Sequence, residues 1–318
     1  MKKEETRKRT KERKEMAQQE EMRMINFMEK FDSEEKCREY MYRVRWPEGF
    51  ICPKCGVQEE PFQITSRNLY QCRHCTHQTS VTAGTIMDMT RTPLRKWFLA
   101  IYLMGSDKRG CSALRLKREL GIAYDTAWTM SHKIRKAMGE RESLYLLQGT
   151  VEMDEAFFGS PDEGGKRGRG SDKTPVVVGL SLGEKGEPVY CKAQVLDSVD
   201  GEAIKAFAKQ MVCPGSVILT DGLNIYRPLG ESGYVHQPKK ANLENAPEHL
   251  KWLHIIVSNM KAFFAGTYHG LDSRHLQAFL DEFCFRFNRR NWQQQLFART
   301  LAACSSAMPF TRANLIMS

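Results

Sequence analysis

The sequence lacks the features that would place a protein in a membrane or in the secretory pathway. None of its 318 residues falls in an apolar run of about 18 residues, the length a membrane-spanning helix needs. The basic segment 1–14 has no apolar stretch behind it, so we expect no secretory signal and a cytoplasmic location. Only four of the ten cysteines are clustered, which does not indicate a disulfide scaffold.

Acidic residues are in deficit, with 38 Asp and Glu against 48 Lys and Arg, a formal net charge of +10. A basic excess of this kind favours a polyanionic partner, nucleic acid first and an acidic membrane surface second. The hydrophobic fraction of 41%, with five Trp, ten Tyr and sixteen Phe, excludes disorder along the whole chain.

The clustered cysteines form two pairs, Cys52-Pro-Lys-Cys55 and Cys72-Arg-His-Cys75, separated by sixteen residues. Two CxxC knuckles at this separation are typical of a tetrahedral site in which four thiolates hold one structural Zn²⁺. The β-prone stretches 62–65 and 68–71 would form the hairpin of a zinc ribbon. Such a ribbon contacts either DNA or protein.

A second pattern predicts a helix-turn-helix. Residues 112–120 form a short helix, Gly121 and Ile122 a turn, and residues 124–126 cap a second helix that runs to about Met138, with Asp125 or Thr126 as its N-cap. The second helix has an apolar back and a polar front, as a recognition helix does, although an ordinary helical hairpin has the same pattern. The candidate DNA contacts on its front are Thr126, Thr129, Lys133 and Lys136.

Between 146 and 264 the pattern predicts three strands of an antiparallel meander, then a helix, a strand, a short fifth strand and a helix. The segments are 151–157, 175–182, 188–196, 202–212, 216–222, 233–237 and 247–264. This succession predicts an α/β (α+β) fold, an RNase H-like mixed sheet flanked by helices. In that architecture the first and fourth strands are neighbours.

Two carboxylates lie on those neighbouring strands. Alternation puts Glu152 and Asp154 on one face and points Glu155 away, and the apolar run 216–220 ends at Asp221. Asp154 and Asp221 would therefore meet, and two close carboxylates repel each other unless cations lie between them. Two divalent ions held by carboxylates are the usual device for phosphoryl transfer. The alternative is that each Asp is a strand-end turn residue.

At this point the residues resemble those of insertion-sequence transposases of the DDE type related to the Merlin group. The matching stretches span most of residues 45–290: CPKC…CRHC, VEMDEAFFG, GGKRGRG, ILTDG and NMKAFFAGTYHG…HLQAFLDEFCFRFNRR. The resemblance implies an N-terminal zinc ribbon, an RNase H-like catalytic domain, and transposition of double-stranded DNA by end cleavage and strand transfer. It also implies an Asp-Asp-Glu set with a Lys seven positions after the third acid.

Carried over by position, this set consists of Asp154, Asp221, His254 and Lys261, with His254 where many relatives have Glu. An imidazole in place of a carboxylate favours Mn²⁺ or Zn²⁺ over Mg²⁺. Asn259 and Glu152 are further candidate ligands for the catalytic Mg²⁺ or Mn²⁺. Glu282 is another, although a Glu on a helix is more often solvated.

Several basic residues would then contact DNA phosphates. Lys261 would do so as a point charge, and Arg167 and Arg169 would do so from the glycine-rich segment 164–170. Arg289 and Arg290 are further candidates.

The sequence thus predicts five segments: a basic helical arm (1–45), the zinc ribbon (46–85), a helix-turn-helix region (91–142), the RNase H-like catalytic domain (146–300) and a tail (301–318). The expected protein is a metal-dependent transposase that binds terminal inverted repeats as a homodimer or larger assembly. A non-catalytic DNA-binding derivative is the alternative, which the departure at His254 favours. A nuclease of the same fold, cutting without joining, is a third.

Overall fold

The structure is a computed structural model in which residues 22–159, 173–239, 249–268 and 271–311 are described. The helices, from α1 to α9, are Met24–Lys30, Glu34–Arg45, Leu94–Ser106, Ala113–Leu120, Tyr124–Glu142, Gly201–Met211, Lys251–Thr267, Leu276–Phe287 and Leu296–Ser306. The strands, from β1 to β8, are Phe62–Ile64, Leu69–Gln71, Gln78–Thr79, Thr150–Phe158, Thr174–Leu182, Pro188–Val195, Val217–Thr220 and Val235–Pro238. None of the described helices is long and apolar enough to cross a membrane.

The chain forms two compact units. The first contains the described residues up to Ser106 together with 291–309, and the second contains 107–290. This division differs from the predicted segments at two places. Helices α4 and α5 belong to the unit that carries the large sheet, and α9, which crosses the predicted boundary at residue 300, belongs to the first unit.

Aromatic side chains form the centre of the first unit. The Phe31 ring centroid lies 5.0 Å from that of Phe98 and 5.4 Å from that of Phe297 on α9, and Phe27 lies 4.9 Å from Tyr102. Aromatic pairs at these distances contribute about 0.5–1.5 kcal/mol each beyond their buried area. The last helix is therefore held to the N-terminal helices by ring contacts.

The large sheet has the strand order β6-β5-β4-β7-β8. Strand β5 pairs antiparallel with both β4 and β6, whereas β4 with β7 and β7 with β8 are parallel. A three-strand meander extended by two parallel strands next to its first strand is the RNase H-like sheet that the element order predicted.

Helices cover both faces of this sheet. On one face Ala156 and Phe158 of β4 pack among residues of α7 and α8. On the other face Val151 and Met153 pack against α6 and the 3₁₀ segment Asn224–Ser232. The alternation along β4 is therefore as predicted, and Glu152 and Asp154 lie on the α7 side.

The predicted helical pair exists as α4 and α5, but α5 already begins at Tyr124, so that Ala123 is its N-cap and the expected cap at Asp125 or Thr126 is wrong. Ser112 caps α4, and Gly121 ends it with a φ of +57°, a left-handed conformation that glycine adopts without strain. Helix α5 packs against α4 on one side and α8 on the other. Arg135 of α5 and Glu282 of α8 form an ion pair of 2.7 Å (Nε to Oε2), and both side chains are buried.

Candidate active site

Asp154 lies in the middle of β4, and Asp221 directly follows β7, the parallel neighbour of β4. The last pair in the β4–β7 register is Glu152 with Leu219, so Asp154 and Asp221 lie two residues further along on the same face. Neighbouring strands are about 4.8 Å apart. The Leu223 N–H donates to Asp221 Oδ1 at 3.0 Å, and Gly222, with a φ of +81°, lets the chain turn away there. The two carboxylates therefore share one edge of the sheet.

Negative charge accumulates at this edge. Burial, followed by the charges of Glu155 and Asp221, raises the pKa of Asp154 to about 7. A carboxyl group whose charged form is this unfavourable in the protein alone gains most from a bound cation. The edge has the electrostatics of a cation site.

A tyrosine that the sequence analysis missed joins two of these acids. The Tyr226 hydroxyl donates to Glu155 Oε2 at 2.5 Å and lies 3.5 Å from Asp154 Oδ1. Tyr226 is fully buried, and burial together with the charges of Glu155 and Asp154 raises its pKa. It therefore stays protonated and holds Glu155, whose side chain leaves β4 on the opposite face of the sheet from Asp154. No sequence pattern pointed to this contact, because Tyr226 lies in an irregular 3₁₀ segment.

Helix α7 brings His254 to Asp154. His254 Nε2 lies 3.6 Å from Asp154 Oδ2, with 54% of the His254 side chain exposed. Ser258 and Lys261, one and two turns further along, are exposed as well, so the three residues share one face of α7. Lys261 Nζ lies 5.7 Å from the Phe158 ring centroid, near the end of β4.

The two lower-ranked ligand candidates differ in position. Asn259 is exposed on α7. The Glu152 carboxylate is buried and accepts the Leu253 N–H at Oε2 over 3.0 Å, and burial raises its pKa. Glu152 is thus engaged with the first turn of α7.

His249 is a second residue that the sequence analysis missed. It is 4% exposed, and neither ring nitrogen has a hydrogen-bond partner in the described part of the chain. Burial and the charges of His254 and Lys239 lower its pKa, against the opposing effect of Asp221. Its imidazole is therefore neutral and lies within electrostatic reach of the carboxylate edge.

The residues at the edge fit a divalent ion. Metal–oxygen and metal–nitrogen bonds of about 2.0–2.2 Å put the two donor atoms roughly 3–3.6 Å apart, as Asp154 Oδ2 and His254 Nε2 are. His249, buried and unpartnered within the described residues, is a further available donor. Within the described ranges, however, only the four clustered cysteines bring three or more His, Cys, Asp or Glu donors within 4.8 Å of one another. The donor atoms at the carboxylate edge are thus further apart than the four sulfur atoms of the cysteine site.

The four cysteines lie on two similar turns in the first unit. Gly56 N–H donates to Cys52 O at 2.9 Å and Thr76 N–H to Cys72 O at 3.0 Å, and both Gly56 and Thr76 have positive φ. Sulfur atoms of opposite turns approach to 3.5 Å (Cys52 with Cys75) and 3.7 Å (Cys55 with Cys72). Zinc–sulfur bonds of about 2.3 Å in a tetrahedron require roughly 3.8 Å between sulfurs, so the cluster fits Zn²⁺. The expected hairpin is present as β1 and β2.

The predicted DNA contacts on α5 differ in their exposure to solvent. Lys136 is exposed and pairs with Glu140 (Nζ to Oε1, 3.7 Å), whereas Thr126, Thr129 and Lys133 are half-buried. Arg167 and Arg169 lie outside the described residues.

Two predictions need correction. Arg289 is buried, donates to Glu142 and to Phe285 O, and stacks 3.7 Å from the Phe285 ring centroid, so it has a structural role and no exposed charge for a phosphate. Glu282 is not a solvated helix residue but the buried partner of Arg135. Arg290 is half-buried and donates to the carbonyl groups of Pro188, Val189 and Phe287.

Two family models match the chain. The ISXO2-like transposase domain matches residues 146–288, the sheet with α7 and α8, and the transposase zinc-ribbon domain matches residues 32–78. Together they match more than half of the chain. The chain therefore has the two domains of an IS1595-type insertion-sequence transposase.

Individual proteins that resemble this transposase share less than a third of their aligned residues with it. A protein in the transposable element ISH50 of Halobacterium salinarum is 27% identical over 219 residues, which cover 63% of this chain and 71% of that protein. Among solved structures, the Mos1 mariner paired-end complex with Mn is 14% identical and covers 62% of this chain and 75% of that chain, with a TM-score of 0.28. A pre-cleavage Mos1 transpososome is 12% identical and covers 66% of this chain and 78% of that chain, with a TM-score of 0.26.

Proposed function

We propose that this transposase cuts DNA at the ends of its element and joins those ends to target DNA by metal-dependent phosphoryl transfer. Asp154, Asp221 and His254 are the proposed ligands of the divalent ions. The observation that carries this proposal is the position of Asp154 and Asp221, each two residues beyond the last β4–β7 pair, with His254 Nε2 3.6 Å from Asp154 Oδ2.

Divalent ions bound at this edge would activate the attacking water or 3′-hydroxyl and stabilise the leaving oxygen. The protein's own part is to place ligands and to compensate charge. Tyr226 holds Glu155 beside Asp154, which fixes the spacing of the acids. Lys261 lies on the same face of α7 as His254 and would attract a DNA phosphate as a point charge.

Recognition of the terminal inverted repeats is assigned to the zinc ribbon and to the polar front of α5. Lys136 is exposed on that front, and the net charge of +10 favours DNA binding. Transposition requires two element ends to be held together, so we expect a homodimer or a larger assembly on DNA.

The test uses the zinc-loaded full chain and DNA that carries both ends of its own element. Cleavage and strand transfer are followed with Mg²⁺ and with Mn²⁺, and DNA binding is followed by gel shift. Asp154→Asn and Asp221→Asn should each lower cleavage by at least about a thousandfold while end binding is retained, because only the ion ligand is lost. Asp197→Asn, at an exposed position of the same unit, is the control and should cleave as the wild type does.

Three results decide between the functions. Cleavage that survives both Asp substitutions contradicts the assigned ligands. End binding without cleavage in either metal supports a non-catalytic DNA-binding protein. Cleavage without joining supports a nuclease of the same fold.

A further inference from the structure

His249 needs an explanation because a buried polar side chain in a folded protein almost always has a hydrogen-bond partner. Only 4% of His249 is exposed to solvent, and neither ring nitrogen has a hydrogen-bond partner among the described residues. A histidine with a purely structural role would use at least one of these nitrogens. His249 therefore keeps at least one ring nitrogen for something that the described residues do not supply.

The position of His249 points to the carboxylate edge. It lies two residues before α7, the helix whose first turns carry His254, and is followed by Leu250 in a left-handed conformation with a φ of +43°. The charges of His254, Asp221 and Lys239 all act on it. These residues come from α7, from the end of β7 and from the end of β8, so His249 lies where the three elements converge.

The burial of His249 distinguishes between two ligands that a histidine could bind here, a phosphate group and a metal ion. A histidine that contacts a phosphate works as an exposed, protonated donor, and burial of this imidazole opposes protonation. A neutral, desolvated imidazole with an available lone pair is instead suited to metal coordination.

We propose that His249 is a further ligand of the divalent ion at the Asp221 side of the site. The edge would then offer two imidazoles, His249 and His254, with the carboxylates of Asp154 and Asp221. This inference rests on the metal-dependent function proposed above. A ligand set with two imidazoles favours Mn²⁺ or Zn²⁺ over Mg²⁺, which binds nitrogen donors less well than oxygen donors.

The test measures Mn²⁺ binding directly. The full chain, with Zn²⁺ retained by the four cysteines, is titrated with Mn²⁺ and free Mn²⁺ is followed by electron paramagnetic resonance. Pulsed measurements with ¹⁵N-labelled histidine then report how many imidazole nitrogens are bound to Mn²⁺. The variants are His249→Leu and the polar His249→Asn, and His275→Gln in the same unit is the matched control.

We expect two coordinated imidazoles in the wild type and in His275→Gln, and one in both His249 variants. The Mn²⁺ affinity of the His249 variants should fall at least about tenfold, the lower end for loss of a group that supports a metal site. The melting temperature of metal-free His249→Leu should not fall, because Leu removes the unpartnered nitrogens. His249→Asn checks affinity independently should the Leu variant fail to fold.

The outcomes separate this inference from the proposed function. A wild type that binds and cleaves with Mn²⁺, but whose affinity and nitrogen count are unchanged by His249→Leu and His249→Asn, overturns the ligand role of His249 alone. A wild type that binds no Mn²⁺ at the edge and cuts no DNA with either metal overturns the proposed function, and with it this inference.

Discussion

Glu152 of β4 accepts the backbone N–H of Leu253 in the first turn of α7, over 3.0 Å. No side chain of the residue preceding α7 caps the helix, so a carboxylate from a distant strand does so. The bond joins the strand that carries Asp154 to the helix that carries His254. The distance between these two proposed ligands therefore depends on a residue that need not be a ligand itself.

Substitution of Glu152 tests whether it is a cap or a ligand. Glu152→Ala leaves the Leu253 N–H unpaired, which should lower the free energy of unfolding by about 1–3 kcal/mol and weaken Mn²⁺ binding indirectly. Glu152→Gln keeps an oxygen acceptor and should come close to the wild type in both. Urea unfolding and Mn²⁺ titration measure the two effects.

Glu184→Ala, at an exposed position, is the control for Glu152. If Glu152→Gln is as stable as the wild type but has lost Mn²⁺ affinity and cleavage, Glu152 is a ligand and its capping role is secondary.

Tyr226 and Tyr234 allow a matched comparison of two buried hydroxyl groups on the same side of the sheet. Tyr226 donates to the Glu155 carboxylate at 2.5 Å, whereas Tyr234 donates to the neutral carbonyl of Ala208 at 2.9 Å. Each Tyr→Phe substitution should cost about 1–3 kcal/mol of stability. Only Tyr226→Phe should also lower the cleavage rate, by about tenfold or more, because it releases Glu155 beside Asp154.

Unfolding measurements and single-turnover cleavage of both Tyr variants check this expectation. Equal cleavage rates for the two would show that the Tyr226 hydroxyl does not position the acids.

The buried pair of Arg135 and Glu282 provides a prediction about stability alone. Arg135→Met leaves the Glu282 charge in the interior with Arg286 (3.3 Å) as its remaining cationic partner, and should destabilise by about 3–5 kcal/mol. The double variant Arg135→Met with Glu282→Leu removes both charges and should recover most of this loss. Urea unfolding of the two single variants and the double variant gives the coupling energy between Arg135 and Glu282. A double variant whose loss of stability equals the sum of the two single losses would contradict the predicted recovery.

The positions of Asp154, Asp221 and the four clustered cysteines could be predicted because they depend on regular patterns. The alternation of residues 151–157 puts Asp154 on one face, and a strand succession with a parallel first and fourth strand brings Asp221 beside it. The spacing of the four cysteines alone indicated their cluster, since each CxxC turn is local.

The rest depends on contacts between residues far apart in the sequence. Glu282 and Arg289 are of residue types that usually face solvent on a helix. Only the packing of α8 against α5 and β6 buries them. His249 and Tyr226 lie in irregular segments, where no periodicity indicates which side chains turn inward. The position of α9 follows from ring contacts of Phe297 with Phe31 and Phe98, which no local pattern encodes.

His132 on α5 gives the last prediction, a dependence of stability on pH. The side chain is 2% exposed and stacks 4.2 Å from the Trp128 ring centroid, and burial, then the charges of Arg135 and His275, lowers its pKa to about 3. The folded protein thus excludes the proton, whereas the unfolded chain binds it below about pH 6.5. Stability from this residue is therefore complete above pH 6.5 and is lost as the pH falls from 6.5 towards 3.

His132→Leu removes the titrating group and should lose less stability on acidification than the wild type. Between pH 7 and pH 5 the difference in unfolding free energy should shift in favour of the variant by about 2 kcal/mol. Urea unfolding of the full chain at both pH values measures it, since the difference between variant and wild type cancels the contributions of other groups. Met130→Leu, a buried swap on the same helix without a titrating group, should show the same effect at both pH values. A His132→Leu difference that does not change with pH would mean that the imidazole is as easily protonated in the folded protein as in the unfolded chain.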